Sequence, residues 1–294
     1  MKRRYWILRA LLALLVLAGA AFLFIRWRAA VAQAQRIADR EAEYRGMGIY
    51  SPGSADFVPL PPETPHRAGA ALLGAALFAD KRLVKSSKRI CAACHPPSGG
   101  GADGKIHGGR LTRSSQNAAF ASCYMHDGRL RDLGKVVELM VSDPAFGAYS
   151  VTGAVARLMR DYALAARFAA NYETGLVASN VVDAIVQHLH ARVTPSGAFD
   201  RHLSGAPGAL GEEELRGFEV FKAADCAKCH GGPALGGRVV SAGRKVPALR
   251  GLAKRRVYLS DGSASDLPTA LVRMPTADIA DADRAALVAF LSAL

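Results

Sequence analysis

The motif Cys-x-x-Cys-His occurs twice in this chain, as CAACH at 91–95 and as CAKCH at 226–230. This spacing is the attachment motif of c-type haem, because two thiols add across the porphyrin vinyl groups and the adjacent imidazole ligates the iron. Two occurrences predict two covalently bound haem c groups. The predicted attachment residues and proximal iron ligands are Cys91, Cys94, His95, Cys226, Cys229 and His230.

Two other uses of the cysteine pairs explain less of the pattern. A disulfide within each pair, or a zinc ion shared by the four thiolates, leaves the histidine after each pair without a role. Haem attachment gives a role to the histidine as well as to the thiols. The fifth cysteine, Cys123, lies outside both motifs and is predicted to be a buried thiol.

An internal repeat supports two equivalent haem-binding units. The segments YMHDGRLRDL at 124–133 and YLSDGSASDL at 258–267 share the frame Y-x-x-D-G-x-x-x-D-L. The first Asp of the frame lies 32 residues after His95 in one copy and 31 residues after His230 in the other. The Asp-Gly pair of each copy is therefore predicted to form a structural turn.

The N-terminus indicates export. MKRR precedes an almost wholly apolar stretch at 5–25, which is followed by RWR. A cleaved signal peptide, with AVA at 30–32 as its cleavage site, has the same order of features. The basic residues after the stretch, its length and the flanking Trp6 and Trp27 favour a single uncleaved transmembrane helix within 1–28. The rest of the chain is then expected in the periplasm, anchored to the inner membrane.

The remaining sequence divides into three parts. Residues 29–66 combine a helical stalk with a Pro-rich linker or wrapping arm, 67–205 carry the first motif and 206–294 carry the second. Helical periodicity dominates and strand signal is weak, with amphipathic helices predicted at 181–193 and 276–294. We therefore predict a mainly α chain with one haem domain per motif.

The net charge is +13, and six of the positive charges precede residue 29. The surplus in the remainder suits acidic protein partners or anionic lipid. No interleaved basic and aromatic pattern indicates nucleic-acid binding.

The sixth ligand of each iron is predicted less directly. Met274 is the only Met after the second motif, and it is the candidate for the second haem. His107, in the Gly-rich loop DGKIHGG, is the candidate for the first haem. Met140 lies 13 residues after Asp127, as Met274 lies 13 residues after Asp261. Met140 is thus either a core residue or an alternative ligand of the first haem.

Together these features resemble the bacterial di-haem cytochrome c peroxidase family, which includes the methylamine-utilisation di-haem enzyme. The similarity runs from about residue 68 to the C-terminus. It is carried by LGAALFADKRL, DGRL, VTPSGAFDRHLSG, GFEVFKAADCAKCHGGP and VPALRGLAKRRVYLSDGS. The resemblance implies two mainly α, cytochrome c-like domains, each with one haem.

The resemblance also implies a direction of electron flow. A C-terminal haem with His and Met ligands accepts electrons from a small periplasmic donor (a cytochrome c or a cupredoxin) or from quinol. The N-terminal haem then reduces hydrogen peroxide. In this scheme Met274 is the family's Met ligand and His107 is its mobile distal His. A homodimer is expected by analogy.

Several residues depart from the family pattern. His126 stands where the family has an inter-haem Trp, and Phe146 stands where it has the peroxidatic Glu. A base must move a proton between the peroxide oxygens, and Phe has no such group. Three residues are candidate substitutes for the missing acid: His126, Glu138 and Asp143. No calcium is predicted, because the residues associated with an inter-haem calcium ion are replaced by Leu111 and Val257.

These departures leave three functions open. The first is an anchored peroxidase with His107 and His126 in its catalytic site. The second is a di-haem cytochrome that transfers electrons without reducing peroxide. The third is an oxidase that modifies a partner protein, as the methylamine-utilisation relative does.

Overall fold

The computed structural model describes residues 57–61, 64–84, 89–144, 147, 150–274 and 279–294, together with Gly19, Phe24 and Arg28. The predicted membrane segment and most of the stalk lie outside the described residues, as does Phe146. Among the described residues, no helix is both long enough and apolar enough to cross a bilayer. Contacts between residues divide the chain into two compact units, Met1–Tyr50 and Ser51–Leu294.

The described part of the chain is mainly helical, as predicted. The helices are α1 (Ala68–Phe78), α2 (Cys91–Cys94), α3 (Leu133–Ser142), α4 (Val151–Leu158), α5 (Tyr162–Ala169), α6 (Ala178–Ala191), α7 (Ala198–Leu203), α8 (Glu212–Ala223), α9 (Leu267–Val272) and α10 (Asp281–Ser292). The strands are β1 (Ile106–His107), β2 (Arg110–Leu111), β3 (Val240–Ser241) and β4 (Arg244–Lys245), with β1 paired to β2 and β3 paired to β4.

A first hydrophobic core forms where α1 packs against α6. Helix α1 is apolar along nearly its whole length and buries Leu73, Leu77 and Phe78. Gly74 lets the two helices approach closely, because a Cβ at this position would lie 1.8 Å from the backbone oxygen of Ala184. Helices α3, α4 and α5 complete this core with Val137, Val141, Ala154, Leu158, Leu164 and Phe168.

A second core repeats this arrangement with α8 and α10. Gly217 on α8 again allows close approach, because its Cβ would lie 1.9 Å from the backbone oxygen of Ala286 on α10. Aromatic rings fill the centre of the core edge to face, with centroids 5.0 to 5.4 Å apart. These rings belong to Phe199, Phe218, Phe221 and Phe290. Helix α7 therefore packs into the second core through Phe199.

The described part of the Pro-rich segment wraps onto the second core. The ring of Phe57 meets that of Phe218 edge to face, with centroids 4.9 Å apart. The N–H of Leu60 donates to Asp200 Oδ1 at 2.8 Å, and the same oxygen pairs with Arg250 at 2.7 Å. The segment is thus an arm held by apolar and hydrogen-bonded contacts.

The Gly-rich stretch after the first motif contains a hairpin, where the sequence predicted a loop. Strands β1 and β2 are joined by Gly108 and Gly109, whose φ angles are 57° and 76°. Consecutive residues with positive φ form the tight turn that matches the twist of two antiparallel strands. Two-residue strands are too short to produce a sequence pattern, which is why the hairpin was missed.

A second hairpin lies 134 residues further along the chain. The first pairs Ile106 with Leu111, and the second pairs Val240 with Lys245. The repeated turns keep the same offset, because Tyr124 and Tyr258 each begin one through an isolated antiparallel bridge. Hairpin and turn are therefore two parts of one repeated unit.

Reciprocal hydrogen bonds join the two units. The N–H of Leu111 donates to the backbone oxygen of Ser260 at 3.0 Å, and the N–H of Lys245 donates to that of His126 at 2.7 Å. Each hairpin thus bonds to the turn of the other unit. These contacts fix the two haem motifs within one compact body.

Candidate haem sites

The first attachment motif forms the short helix α2. Its single turn places Cys91 and Cys94 on one face, and the N–H of His95 donates to the backbone oxygen of Cys91 at 2.8 Å. The second motif forms a 3-10 turn over Cys226–Lys228, and the N–H of His230 donates to the backbone oxygen of Cys226 at 2.8 Å. Both motifs therefore hold two thiols and one imidazole on one tight turn.

The two proximal imidazoles are prepared in the same way to ligate a metal. Nδ1 of His95 lies 3.3 Å from the backbone oxygen of Gly101, and Nδ1 of His230 lies 3.3 Å from that of Leu235. A carbonyl only accepts, so Nδ1 carries the proton and Nε2 keeps its lone pair. Burial lowers the pKa of both imidazoles, that of His230 to about 4. A neutral imidazole oriented through its other nitrogen is the form that ligates iron.

The cysteines agree with attachment rather than with disulfides. None of the five cysteines forms a disulfide. Cys123 is 0% exposed, and its thiol donates to the backbone oxygen of Gly237 at 3.5 Å. The prediction of a buried thiol outside both motifs is confirmed.

His107 lies on β1, close to the first attachment motif. Its Nε2 is 2.9 Å from Asp103 Oδ2 and 3.9 Å from Cys94 Sγ. Within the described residues, these three side chains are the one cluster that brings together three possible metal ligands. Cys94 is a predicted attachment residue, so the cluster belongs to the first haem site. The side chain of His107 is 40% exposed and is held by Asp103.

The two candidate methionines lie in different backbone settings. Helix α9 ends at Val272, so Met274 follows the helix and is half-buried in a bend. The next residue is Pro275, and a residue before proline disfavours the helical conformation. Met140 lies inside α3, which continues to Ser142. The equal spacing in the sequence does not give the two methionines equal positions.

His126 lies where the two units meet. Its Nε2 is 2.9 Å from the backbone oxygen of Leu111, so this nitrogen donates and Nδ1 retains a lone pair. Burial lowers the pKa of the imidazole, which is therefore neutral near pH 7. The backbone oxygen of the same residue accepts from Lys245. His126 is thus fixed by hydrogen bonds to both hairpins.

The remaining polar candidates have structural partners or positions. Asp127 accepts from the backbone N–H of Arg129 at 3.2 Å and from its guanidinium at 2.7 Å, which confirms its role in the turn. Glu138 pairs with Lys135 at 3.0 Å on the exposed side of α3. Asp143 is the residue at which α3 ends.

Sequence reasoning missed three arginines near the motifs. Arg113, Arg192 and Arg255 each have a buried Nε without a hydrogen-bond partner. No pattern in the sequence distinguishes them from surface arginines, because their burial depends on residues far away in the chain. An unsatisfied buried cation indicates a missing acidic group.

Comparison with known proteins agrees with these sites. A family model described as di-haem cytochrome c peroxidase matches residues 68–207, and one described as cytochrome c matches residues 214–294. The cytochrome c551 peroxidase of Nitrosomonas europaea is 31% identical over 258 residues, which cover 74% of this chain and 75% of that protein. The chain belongs to the di-haem cytochrome c peroxidase family. The resemblance inferred from the motifs is therefore confirmed, and two covalently bound haem c groups follow from it.

Other relatives show the breadth of this family. The cytochrome c peroxidase of Escherichia coli (strain K12) is 31% identical over 231 residues, which cover 73% of this chain but 50% of that protein. This chain thus spans half the length of that relative. The methylamine utilization protein MauG of Methylophilus methylotrophus is 27% identical over 251 residues, with 74% of this chain and 75% of that protein covered.

Two solved structures share the fold. A MauG-like protein associated with microbial copper homeostasis superposes with a TM-score of 0.69 at 20% identity, covering 83% of this chain and 94% of that one. The diheme peroxidase BthA from Burkholderia thailandensis gives 0.60 at 16% identity, with 81% and 94% covered. The described helices are therefore those of a di-haem cytochrome, and the two oriented imidazoles fit its irons.

Proposed function

We propose that this chain is an exported, membrane-anchored di-haem oxidoreductase that passes electrons from its C-terminal haem to its N-terminal haem and there reduces hydrogen peroxide. The pair of reciprocal hydrogen bonds between the hairpins and turns carries this proposal. Electron transfer within one chain needs a fixed distance between the haems. Contacts that tie each haem unit to the other supply it.

The residues take distinct roles in this scheme. Cys91 and Cys94 attach the N-terminal haem and His95 ligates its iron, with His107 as the movable ligand on the other side. The equivalent residues of the C-terminal haem are Cys226, Cys229 and His230, with Met274 completing a His/Met pair. Methionine ligation raises the potential of a haem, which suits the site that receives electrons.

The haem irons supply one-electron redox chemistry and a binding site for peroxide. The reaction consumes one hydrogen peroxide, two electrons and two protons and gives two waters. This chain must supply the group that moves a proton between the oxygens. His126 is neutral, is held through Nε2 and keeps a lone pair on Nδ1. It is better suited than Glu138, whose carboxylate is paired on the surface.

The donor and the location rest on weaker support. The names of two relatives, cytochrome c551 peroxidase and cytochrome c peroxidase, point to a small c-type cytochrome as donor. A cupredoxin or quinol has the same chemical role. Anchoring in the inner membrane rests on the apolar sequence within 1–28, and a homodimer rests on analogy alone. Membrane fractions washed at high pH should retain the full chain, and release into the wash would contradict an anchor.

A second candidate is a di-haem cytochrome that transfers electrons without reducing peroxide. Phe146 favours it, because the position of the family's acid has no proton-transferring group. In that case both irons keep two protein ligands in every redox state. The two functions predict different spectra for the half-reduced protein.

The test uses the purified full chain. Haem content and mass should show two haems, and replacing Cys91 and Cys94 together with Ala should leave one. Half-reduced protein should show a high-spin haem that reacts with peroxide and oxidises a reduced small cytochrome c. Two persistently low-spin haems without turnover would reject the peroxidase and support the second candidate.

The role of His126 has a matched test. Gln at this position can still donate to Leu111 but cannot take up a proton. His126→Gln should lower peroxide turnover by about 10²-fold or more while keeping both haems. The control is Ser260→Ala, at the equivalent position of the other unit, and it should retain turnover. Full activity of His126→Gln would exclude the proton-transfer role.

A further inference from the structure

Three buried arginines lie around the haem motifs without an acidic partner. Arg113 donates to the backbone oxygen of Lys245 at 3.1 Å, and Arg255 donates to that of Ala248 at 3.0 Å. Arg192 donates to the backbone oxygen of His95 at 3.1 Å. In each guanidinium Nε is buried and has no acceptor, and no acid among the described residues pairs with any of the three.

Their positions follow the two proximal histidines. Arg192 is bonded to the backbone of His95, and its charge helps to lower the pKa of that imidazole, after burial as the main cause. The charge of Arg255 acts in the same way, after burial, on His230. Each proximal histidine therefore has one of these arginines beside it.

Arg113 and Arg255 meet across the junction of the two units. Burial, and then the charge of Arg113, lower the pKa of Arg255 to about 10. The Cγ of Arg255 would lie 3.5 Å from a Cβ at Gly100, next to the Gly101 oxygen that orients His95. Two buried like charges at a contact between units are unfavourable unless an anion lies between or beside them.

We propose that Arg113, Arg192 and Arg255 bind the propionate carboxylates of the two haems, with Arg192 serving the N-terminal haem, Arg255 the C-terminal haem and Arg113 the junction. Each haem carries two propionates, so the missing anions arrive with the cofactor. A planar guanidinium matches a carboxylate through two parallel hydrogen bonds. The unused Nε atoms are the donors that such a pair requires.

This assignment predicts an effect on reduction potential. A positive charge near a haem favours the reduced form, which carries one more electron. At the spacing of a propionate from its iron, and in a partly buried setting, removing one charge should change the equilibrium constant for reduction about tenfold. The three arginines therefore act as positioning residues that also raise the potentials of both haems.

The test measures the potential of each haem in the loaded full chain by spectroelectrochemical titration. Arg192→Gln should lower the equilibrium constant for reduction of the N-terminal haem about tenfold, a shift of about 59 mV for one electron. Arg255→Gln should do the same for the C-terminal haem. The control Arg256→Gln removes an exposed neighbour and should leave both potentials unchanged. Unchanged potentials in the first two variants, with both haems present, would overturn the assignment.

Two further measurements cover the case in which a glutamine variant does not fold. Arg→Lys at the same positions keeps the charge, so the potentials should stay close to those of the natural chain. A crystal structure of the natural, haem-loaded chain should show Nε of each arginine within hydrogen-bond distance of a propionate oxygen. Bonds from Nε only to water or to protein oxygens would reject the proposal. The assignment depends on the two haems but not on peroxide reduction, so haem content and turnover separate its failure from that of the proposed function.

Discussion

The two haem units share a backbone frame but differ in the side chains placed on it. At the constant offset of 134 residues, Tyr124 corresponds to Tyr258 and Gly128 to Gly262, and both glycines have a φ of 71°. The turns end in the same helix cap, because Asp132 accepts from the N–H of Lys135 and Asp266 accepts from that of Thr269. Positions that shape the backbone are thus repeated.

Positions that can bear chemistry are not repeated. In chain order, the differing pairs are His107 and Ser241, Leu111 and Lys245, Gln116 and Arg250, His126 and Ser260. The imidazoles belong to the N-terminal unit alone, and the buried cations belong to the C-terminal unit. Such a division is expected where one haem handles peroxide and its protons and the other receives electrons. The repeat therefore supplies the scaffold, and its differences supply the function.

The largest expected effect concerns Arg250, which replaces the Gln116 of the N-terminal unit. Its guanidinium pairs with Asp200 at 2.7 Å, and both side chains are nearly inaccessible, 2% and 4% exposed. Asp200→Asn leaves the arginine buried without its counter-charge. The free energy of unfolding should fall by about 3–5 kcal/mol, measured by denaturant titration.

The matched control is a surface pair in the repeated turn. Asp127 and Arg129 lie 2.7 Å apart but are 38% and 53% exposed. Asp127→Asn should cost less than about 1 kcal/mol. Equal losses in the two variants would mean that the buried pair does not distinguish the units.

The next effect separates Met274 from Met140. Met274→Ala should remove the sixth ligand of the C-terminal haem, change its low-spin spectrum and lower its potential on the order of 0.1 V. Met140→Ala should leave both spectra unaltered, because α3 holds that side chain in a different setting. A changed N-terminal haem spectrum in Met140→Ala would instead show that both methionines are ligands.

The sequence predicted the parts of these sites that depend on local spacing. Both haem motifs, the repeated turn and the helices over 181–193 and 276–294 were recognised, and the helices run from Ala178–Ala191 and Asp281–Ser292. The hairpins were missed because two-residue strands carry no periodicity. Non-local contacts were also missed: a +13 chain does not indicate which arginines are buried, since their partners lie far away or on the haem.

A smaller effect compares the two repeated glycines. A Cβ at Gly128 would lie 2.3 Å from Val240 Cγ2, whereas one at Gly262 would lie 3.0 Å from Ile106 Cδ1. Both positions have positive φ, so alanine is strained at either. Gly128→Ala should cost about 2 kcal/mol and Gly262→Ala about 1 kcal/mol in free energy of unfolding. Adding Val240→Ala to Gly128→Ala should recover part of the loss, and no recovery would place the strain in the backbone alone.

The smallest expected effect is a gain in stability at Lys245, whose counterpart is Leu111. Burial lowers the pKa of this ammonium to about 8 from its ordinary value of 10.5. Below pH 8 both the folded and the unfolded chain bind the proton, and the folded state bears the cost of a buried charge. Between about pH 8 and 10.5 only the unfolded state keeps the proton, so the stability of the natural chain rises with pH in that window.

Lys245→Leu gives the C-terminal unit the apolar residue of its partner. At pH 7 the variant should be more stable than the natural chain by about 1 kcal/mol, because the buried charge is gone. The difference should shrink as pH rises from about 8 to 10.5, where the natural lysine loses its proton. Denaturant titrations at several pH values measure both, with Lys254→Leu as a control at an exposed position. A difference that does not change with pH would show that packing, rather than charge, separates the two units at this position.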